Sequence, residues 1–206
     1  MIETSGLPSH TNPQSRIPNP RFPVPSLMSL SIATLVPGLI LLVLGVPLLL
    51  LNQGWVAALK AMPRSPAASF IFFGAATVWF LVNIWHLSEA DFGDYRVPLL
   101  FAFAAIAALS FKCVPDFLAV RGLCVLVLLG AWPLLMAGYM VWDHPQVYFL
   151  KVLVYLGVLL AIWLGTQPWR LRDFFEWMFA RPARTQRIGG ILAAYGMLLA
   201  ILAFTY

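Results

Sequence analysis

Apolar and polar positions do not alternate along this chain; they separate into blocks. Long unbroken apolar runs, rich in Leu, Ala, Val and Ile, stand at about 29–51, 66–87, 97–111, 117–141, 147–166 and 188–206, with short polar stretches between them. An α-helix needs about 20 apolar residues to cross a hydrocarbon layer. Backbone groups in that layer have no water to bond, so only helices or closed barrels cross it. Continuous runs without period-two alternation favour helices. The pattern therefore predicts an all-α, polytopic membrane helix bundle with about six transmembrane helices over 29–206. The first run contains Pro37, Gly38, Gly45 and Pro47, so we expect a kinked span. A re-entrant loop is its alternative. The third run is short unless it begins near Tyr95.

Two segments break the pattern. Residues 1–28 scatter Pro8, Pro13, Pro18, Pro20, Pro23 and Pro25 among Ser, Asn, Thr and Gly. Proline removes backbone donors and blocks helix, so we expect a disordered, Pro-rich tail. It has no basic n-region followed by a small-residue cleavage site, and the first run is expected to stay as an anchor. Between the last two runs, "PWRLRDFFEWMFARP" sets Trp169, Phe174, Trp177 and Met178 at helical spacing with Arg170, Asp173, Glu176 and Arg181 interleaved. That stretch is too short and too charged to span. We expect an amphipathic helix over about 168–181, lying in the interface with its aromatics in lipid and its arginines at headgroups, or alternatively packed on the bundle.

Charge then orients the bundle. Lys60, Arg64, Lys112, Arg121, Arg170, Arg172, Arg181, Arg184 and Arg187 all fall toward one side of a six-span arrangement, nine of thirteen basic residues. Arg96 and Lys151 fall on the other side, which also takes Arg16 and Arg21 of the tail. Basic loops stay cytoplasmic, so the expected location is the plasma (cell inner) membrane, with tail and C-terminal end outside. Trp85, Tyr95, Trp142 and Tyr148 gather at the expected outer boundary, and Trp55, Trp169 and Trp177 at the inner one.

Composition agrees with this reading. The chain is 61% hydrophobic and 10% charged, against about 25% charged in soluble domains. A single water-soluble core is excluded. The net charge of +5 follows from the basic loops, so the expected partner is anionic membrane lipid rather than nucleic acid. Lipid-headgroup contacts are assigned to Arg170, Arg172, Arg181, Arg184 and Arg187. Cys113 and Cys124 are too few for a disulfide framework and are read as free thiols.

The densest charge is "HLSEADFGDYR", His86 to Arg96. Asn83, His86 and Glu89 follow i, i+3, i+6 at the outer end of the second span. Asp91 and Asp94 come next, and Asp143 and His144 sit in another loop on the same side. Imidazole and carboxylate together can hold Zn²⁺ or pass a proton. No HxxxH or HExxH spacing occurs, however, and charge at water level costs little, so a solvated loop is the reading carried forward and no metal is assigned. Arg121 lies four to five residues into the fourth span, and Lys151 equally shallow in the fifth. Both are within snorkelling reach of headgroups, with Asp116 a neighbour for Arg121. Gly189, Ala193, Gly196, Ala200 and Ala203 form a groove of small side chains along the last span, suited to close helix packing within the bundle or against another subunit. Ala104 and Ala108 make a shorter version in the third.

No phosphate loop, dinucleotide fingerprint, GxSxG or zincin motif is present. No deep acid marks an ion path, and no cofactor is expected. The leading functional expectation is a non-catalytic integral membrane protein, an accessory or scaffold subunit joined to other membrane subunits or to copies of itself. A small transporter or channel for a weakly polar solute, with the outer acids at its mouth, is the alternative. A metal-dependent membrane enzyme using His86, Glu89 and His144 comes third.

Overall fold

The computed structural model describes residues 28–88 and 92–206. The expected tail disorder, and Glu89 and Asp91 of the polar cluster, lie outside those residues. The fold is all-α. Six of its helices are long and apolar enough to cross a membrane: α1 (Leu30–Leu49), α3 (Pro66–Trp85), α4 (Arg96–Cys113), α5 (Leu118–Ala137), α6 (Val147–Thr166) and α8 (Pro182–Ala203). Two shorter helices, α2 (Gln53–Ala61) and α7 (Trp169–Phe179), and two 3₁₀ turns, Met62–Arg64 and Gly93–Tyr95, are the other helical elements among the described residues.

Local chemistry sets the helix starts. The Ser29 hydroxyl accepts from the Ile32 amide at 3.4 Å and starts α1. Ser65 does the same for Ala68 at 3.3 Å, with Pro66 at the first helical position of α3, where its missing N–H is harmless. Pro37 and Pro47 sit inside α1 without ending it. The helix runs 20 residues, long enough to cross in full. Its end is a Schellman turn: the Asn52 amide donates to Pro47 O at 2.9 Å and the Leu51 amide to Leu48 O at 3.2 Å. Leu51 occupies the left-handed region (φ 53°) that glycine would fill without strain. The same Asn52 accepts from the Trp55 amide at 3.1 Å, so one residue closes α1 and caps α2.

Boundaries differ from expectation at two places. α8 begins at Pro182, not near 188, so Arg184 and Arg187 stand on its first two turns rather than in a loop. Proline at the first position and an extended Arg181 before it define that start. The stretch 52–65, expected as a plain loop, contains α2 and the 3₁₀ turn.

Packing is dominated by two close helix pairs. α1 lies along α8 with glycine against glycine. A Cβ placed at Gly45 would stand 2.6 Å from Ala193 N, and one at Gly189 2.5 Å from Leu49 N. One level away, Gly38 meets Gly196 and Ala200 in the same manner. The groove read on α8 is therefore filled by α1, within the chain. In the second pair α5 crosses α3 at Gly122, whose added Cβ would meet Phe73 N at 2.4 Å. Ala33, Ala131, Ala137, Leu150 and Val154 join α1, α5 and α6 in a core, and the Tyr195 hydroxyl donates to Phe149 O at 2.9 Å, tying α8 to α6. α4 is peripheral: none of its residues is buried. It meets α3 through rings, Phe111 against Phe73 (5.3 Å) and Phe70 (6.0 Å), and Phe103 against Phe80 (5.1 Å).

Candidate functional site

Nine of the eleven basic residues among those described lie toward one end of the bundle, where α2, α7 and the starts of α3, α5 and α8 meet. An apolar cluster anchors the two short helices there. Leu48, Phe175 and Met178 are buried, with Trp55, Val56, Leu59, Leu171, Phe179, Ile188 and Leu192 packed around them. This splits the aromatic face expected of α7. Trp169, Phe174 and Trp177 are exposed, whereas Phe175 and Met178 turn into the bundle. Met178 is thus a core residue (2% exposed) and not one of a lipid-facing set. The buried Thr185 hydroxyl donates to Met178 O at 3.1 Å and locks α7 to α8.

Four cations at this end sit over aromatic rings: Lys60 over Phe179 (5.4 Å), Arg64 over Phe117 (5.5 Å), Arg170 over Trp163 (5.2 Å) and Arg184 over Trp177 (4.8 Å). Each is within the ~6 Å at which a ring quadrupole attracts a cation. Arg184 also donates to Trp177 O at 3.3 Å, and Arg170 to the Gln167 amide oxygen. Arg172 donates to Asp173 at 2.8 Å and lies 3.6 Å from Glu176. Hydrogen bonding to Asp173 and the two carboxylate charges raise its pKa above the usual guanidinium value. Arg181 and Arg187 are exposed. Between α2 and α7 opens a cleft of about 270 Å³, lined by Lys60, Arg172, Phe175, Glu176, Phe179 and Ala180. In the adjoining cluster the buried indole N–H of Trp55 has no acceptor among the described residues.

At the other end the polar residues are spread out. α3 stops at Trp85, leaving Asn83 on the helix and His86 at its cap, where His86 Nδ1 lies 2.8 Å from Val82 O. Asp94 is exposed in the 3₁₀ turn and lines a second cleft of about 260 Å³ with Trp85, Gly93, Arg96 and Val97. Arg96 Nε donates to Gly93 O at 3.0 Å. Asp143 is exposed, and His144 stacks edge-on against Tyr206 with centroids 5.5 Å apart. Among the described residues no three of His, Cys, Asp and Glu are grouped to hold a metal. Lys151 lies 5.4 Å from the Tyr148 ring, and Arg121 points outward on the first turn of α5.

Sequence reasoning missed α2 and the cleft it forms with α7. Asn52, three residues before Trp55, was the available signal for α2. No family model, curated protein or solved structure matches this chain.

Proposed function

We propose that the chain is a multi-pass plasma-membrane protein, oriented with its basic end toward the cytoplasm, that serves as a non-catalytic accessory or scaffold subunit of a larger membrane assembly. Nine basic residues at one end favour that orientation, because Lys and Arg are retained on the cytoplasmic side. The ring-seated cations and the exposed Trp169 and Trp177 of α7 suit the headgroup level, where amphipathic helices and aromatic residues settle.

The observation that carries the subunit role is α4. It is an 18-residue apolar helix held by three phenylalanine contacts on one side, and no residue of it is buried. Its remaining faces present Ala105 and Ala108 exposed, and small side chains let a foreign helix approach closely. A span that contributes so little to its own fold is well suited to joining another one.

The test is a photo-crosslinking residue at Ala105 or Ala108, activated in the native membrane, followed by mild-detergent purification. A discrete protein adduct, co-purifying in fixed stoichiometry, is the expected result. A monodisperse monomer carrying only lipid adducts refutes the subunit reading. Single cysteines at Arg64 and Arg184 should be labelled from the same side of the bilayer, and at Asp143 from the other. Any other pattern refutes the orientation.

A further inference from the structure

We infer that the cleft between α2 and α7 is a binding site for the phosphate of an anionic phospholipid. The inference rests on the orientation proposed above, which sets this end at the headgroups. Lys60 and Arg172 enter the cleft from different helices, the first from α2 and the second from α7. They therefore offer an ammonium and a guanidinium across a gap. Lys60 is exposed and has no carboxylate partner among the described residues, with its ammonium placed over the Phe179 ring. Arg172 is already oriented by Asp173 and Glu176, so little freedom is lost when its remaining donors meet an anion.

The lining suits a lipid. The cleft's Phe175, Phe179 and Ala180 wall is apolar, which suits the start of a lipid's acyl chains. Phe175 and Phe179 also belong to the cluster that contains Trp55, whose buried indole N–H is still without an acceptor. Buried tryptophan N–H groups normally have a partner, so the apolar cluster beside the cleft holds one donor still to be met. Glu176, which also lines the cleft, tells against a multiply charged ligand and favours a phosphodiester with a hydroxyl-bearing headgroup, which the carboxylate can accept from.

The test uses the full chain in nonionic detergent, with native mass spectrometry counting retained phosphatidylglycerol against phosphatidylcholine. Wild type is expected to retain phosphatidylglycerol preferentially. Lys60→Gln should weaken retention about fivefold, as for one basic contact at an anionic surface. Lys60→Gln/Arg172→Gln should weaken it further, and Lys60→Arg should keep most of it. Lys112→Gln removes an equal charge from the same end, away from the cleft, and should change nothing. Equal loss in Lys112→Gln would reduce the effect to general surface attraction and overturn the site, as would absence of any preference in wild type. Inorganic phosphate binding as tightly as the lipid, and lost in Lys60→Gln, would make free phosphate the ligand and overturn the lipid assignment. Crosslinking from α4 and cysteine labelling read the subunit role and the orientation separately, so their failure is distinguishable from failure here.

Discussion

Consider alanine at each glycine of the α1–α8 seam. At Gly189 the added methyl would meet Leu49 N at 2.5 Å, Gly45 O at 2.9 Å and Leu48 C at 2.9 Å. All three are backbone atoms of a helix, so no rotamer change relieves the contact and the helices must part. At Gly45 the nearest atoms are Ala193 N at 2.6 Å and Gly189 O at 2.8 Å, at Gly196 they are Gly38 O at 2.8 Å and Leu41 Cβ at 3.0 Å, and at Gly38 none is closer than 3.1 Å. Overpacking a tight site costs ~1–3 kcal/mol, while alanine regains up to ~1 kcal/mol of helix propensity over glycine. The net loss expected is ~1–2 kcal/mol at Gly189 and Gly45, less at Gly196 and near zero at Gly38. Gly74→Ala is the internal reference, because nothing lies within 4 Å of its added Cβ. It should be neutral or slightly stabilising.

Unfolding by SDS titration in mixed micelles, followed by far-UV circular dichroism, measures the series. Gly45 and Gly189 press on each other, so the double alanine variant should lose less than the two single losses together: once the helices have parted for one methyl, the second fits. Gly189→Ala as stable as Gly74→Ala, or full additivity at Gly45 and Gly189, would refute the seam as the close contact that organises the fold.

Two further outcomes follow from named contacts. Phe111→Ala removes both of its ring contacts, Phe73 and Phe70, at ~0.5–1.5 kcal/mol each; hydrogen exchange should quicken along α4 while α5 and α6 are unchanged. Thr185→Val deletes the bond to Met178 O and leaves that carbonyl short of a buried donor, at ~1–3 kcal/mol. Its exchange signature should be confined to α7 and the first turns of α8, and a global change would contradict a local lock.

The spans were legible because lipid solvation imposes one strong rule, that about 20 residues stay apolar; five of the six runs obey it, and the short third run becomes the 18-residue α4. The groove on α8 was legible as well, because Gly189, Ala193 and Gly196 repeat at helical spacing. Its partner was not. Gly38 and Gly45 stand beside prolines and suggest a kink, yet they are seven residues apart, like Gly189 and Gly196, and the two pairs interleave. A small-residue stripe says that something approaches closely. Only a second stripe of equal spacing elsewhere in the chain says what.

The cleft between α2 and α7 was beyond reach for a different reason. The density of charge in "HLSEADFGDYR" drew attention to the far end, where polar residues are crowded in sequence and His86, Asp94 and His144 form no metal-holding group in space. Lys60 and Arg172 are the reverse case. They are distant in sequence, unremarkable one at a time, and brought to one cleft because α2 and α7 both bury apolar faces on the Leu48, Phe175 and Met178 cluster. Loops between spans hold charge cheaply in water, so crowding there carries little information. Lys60 and Arg172 share a cleft only because two separate helices are anchored on one packed apolar floor. A position fixed by tertiary packing is the stronger pointer to a ligand, and it is invisible until the helices are placed.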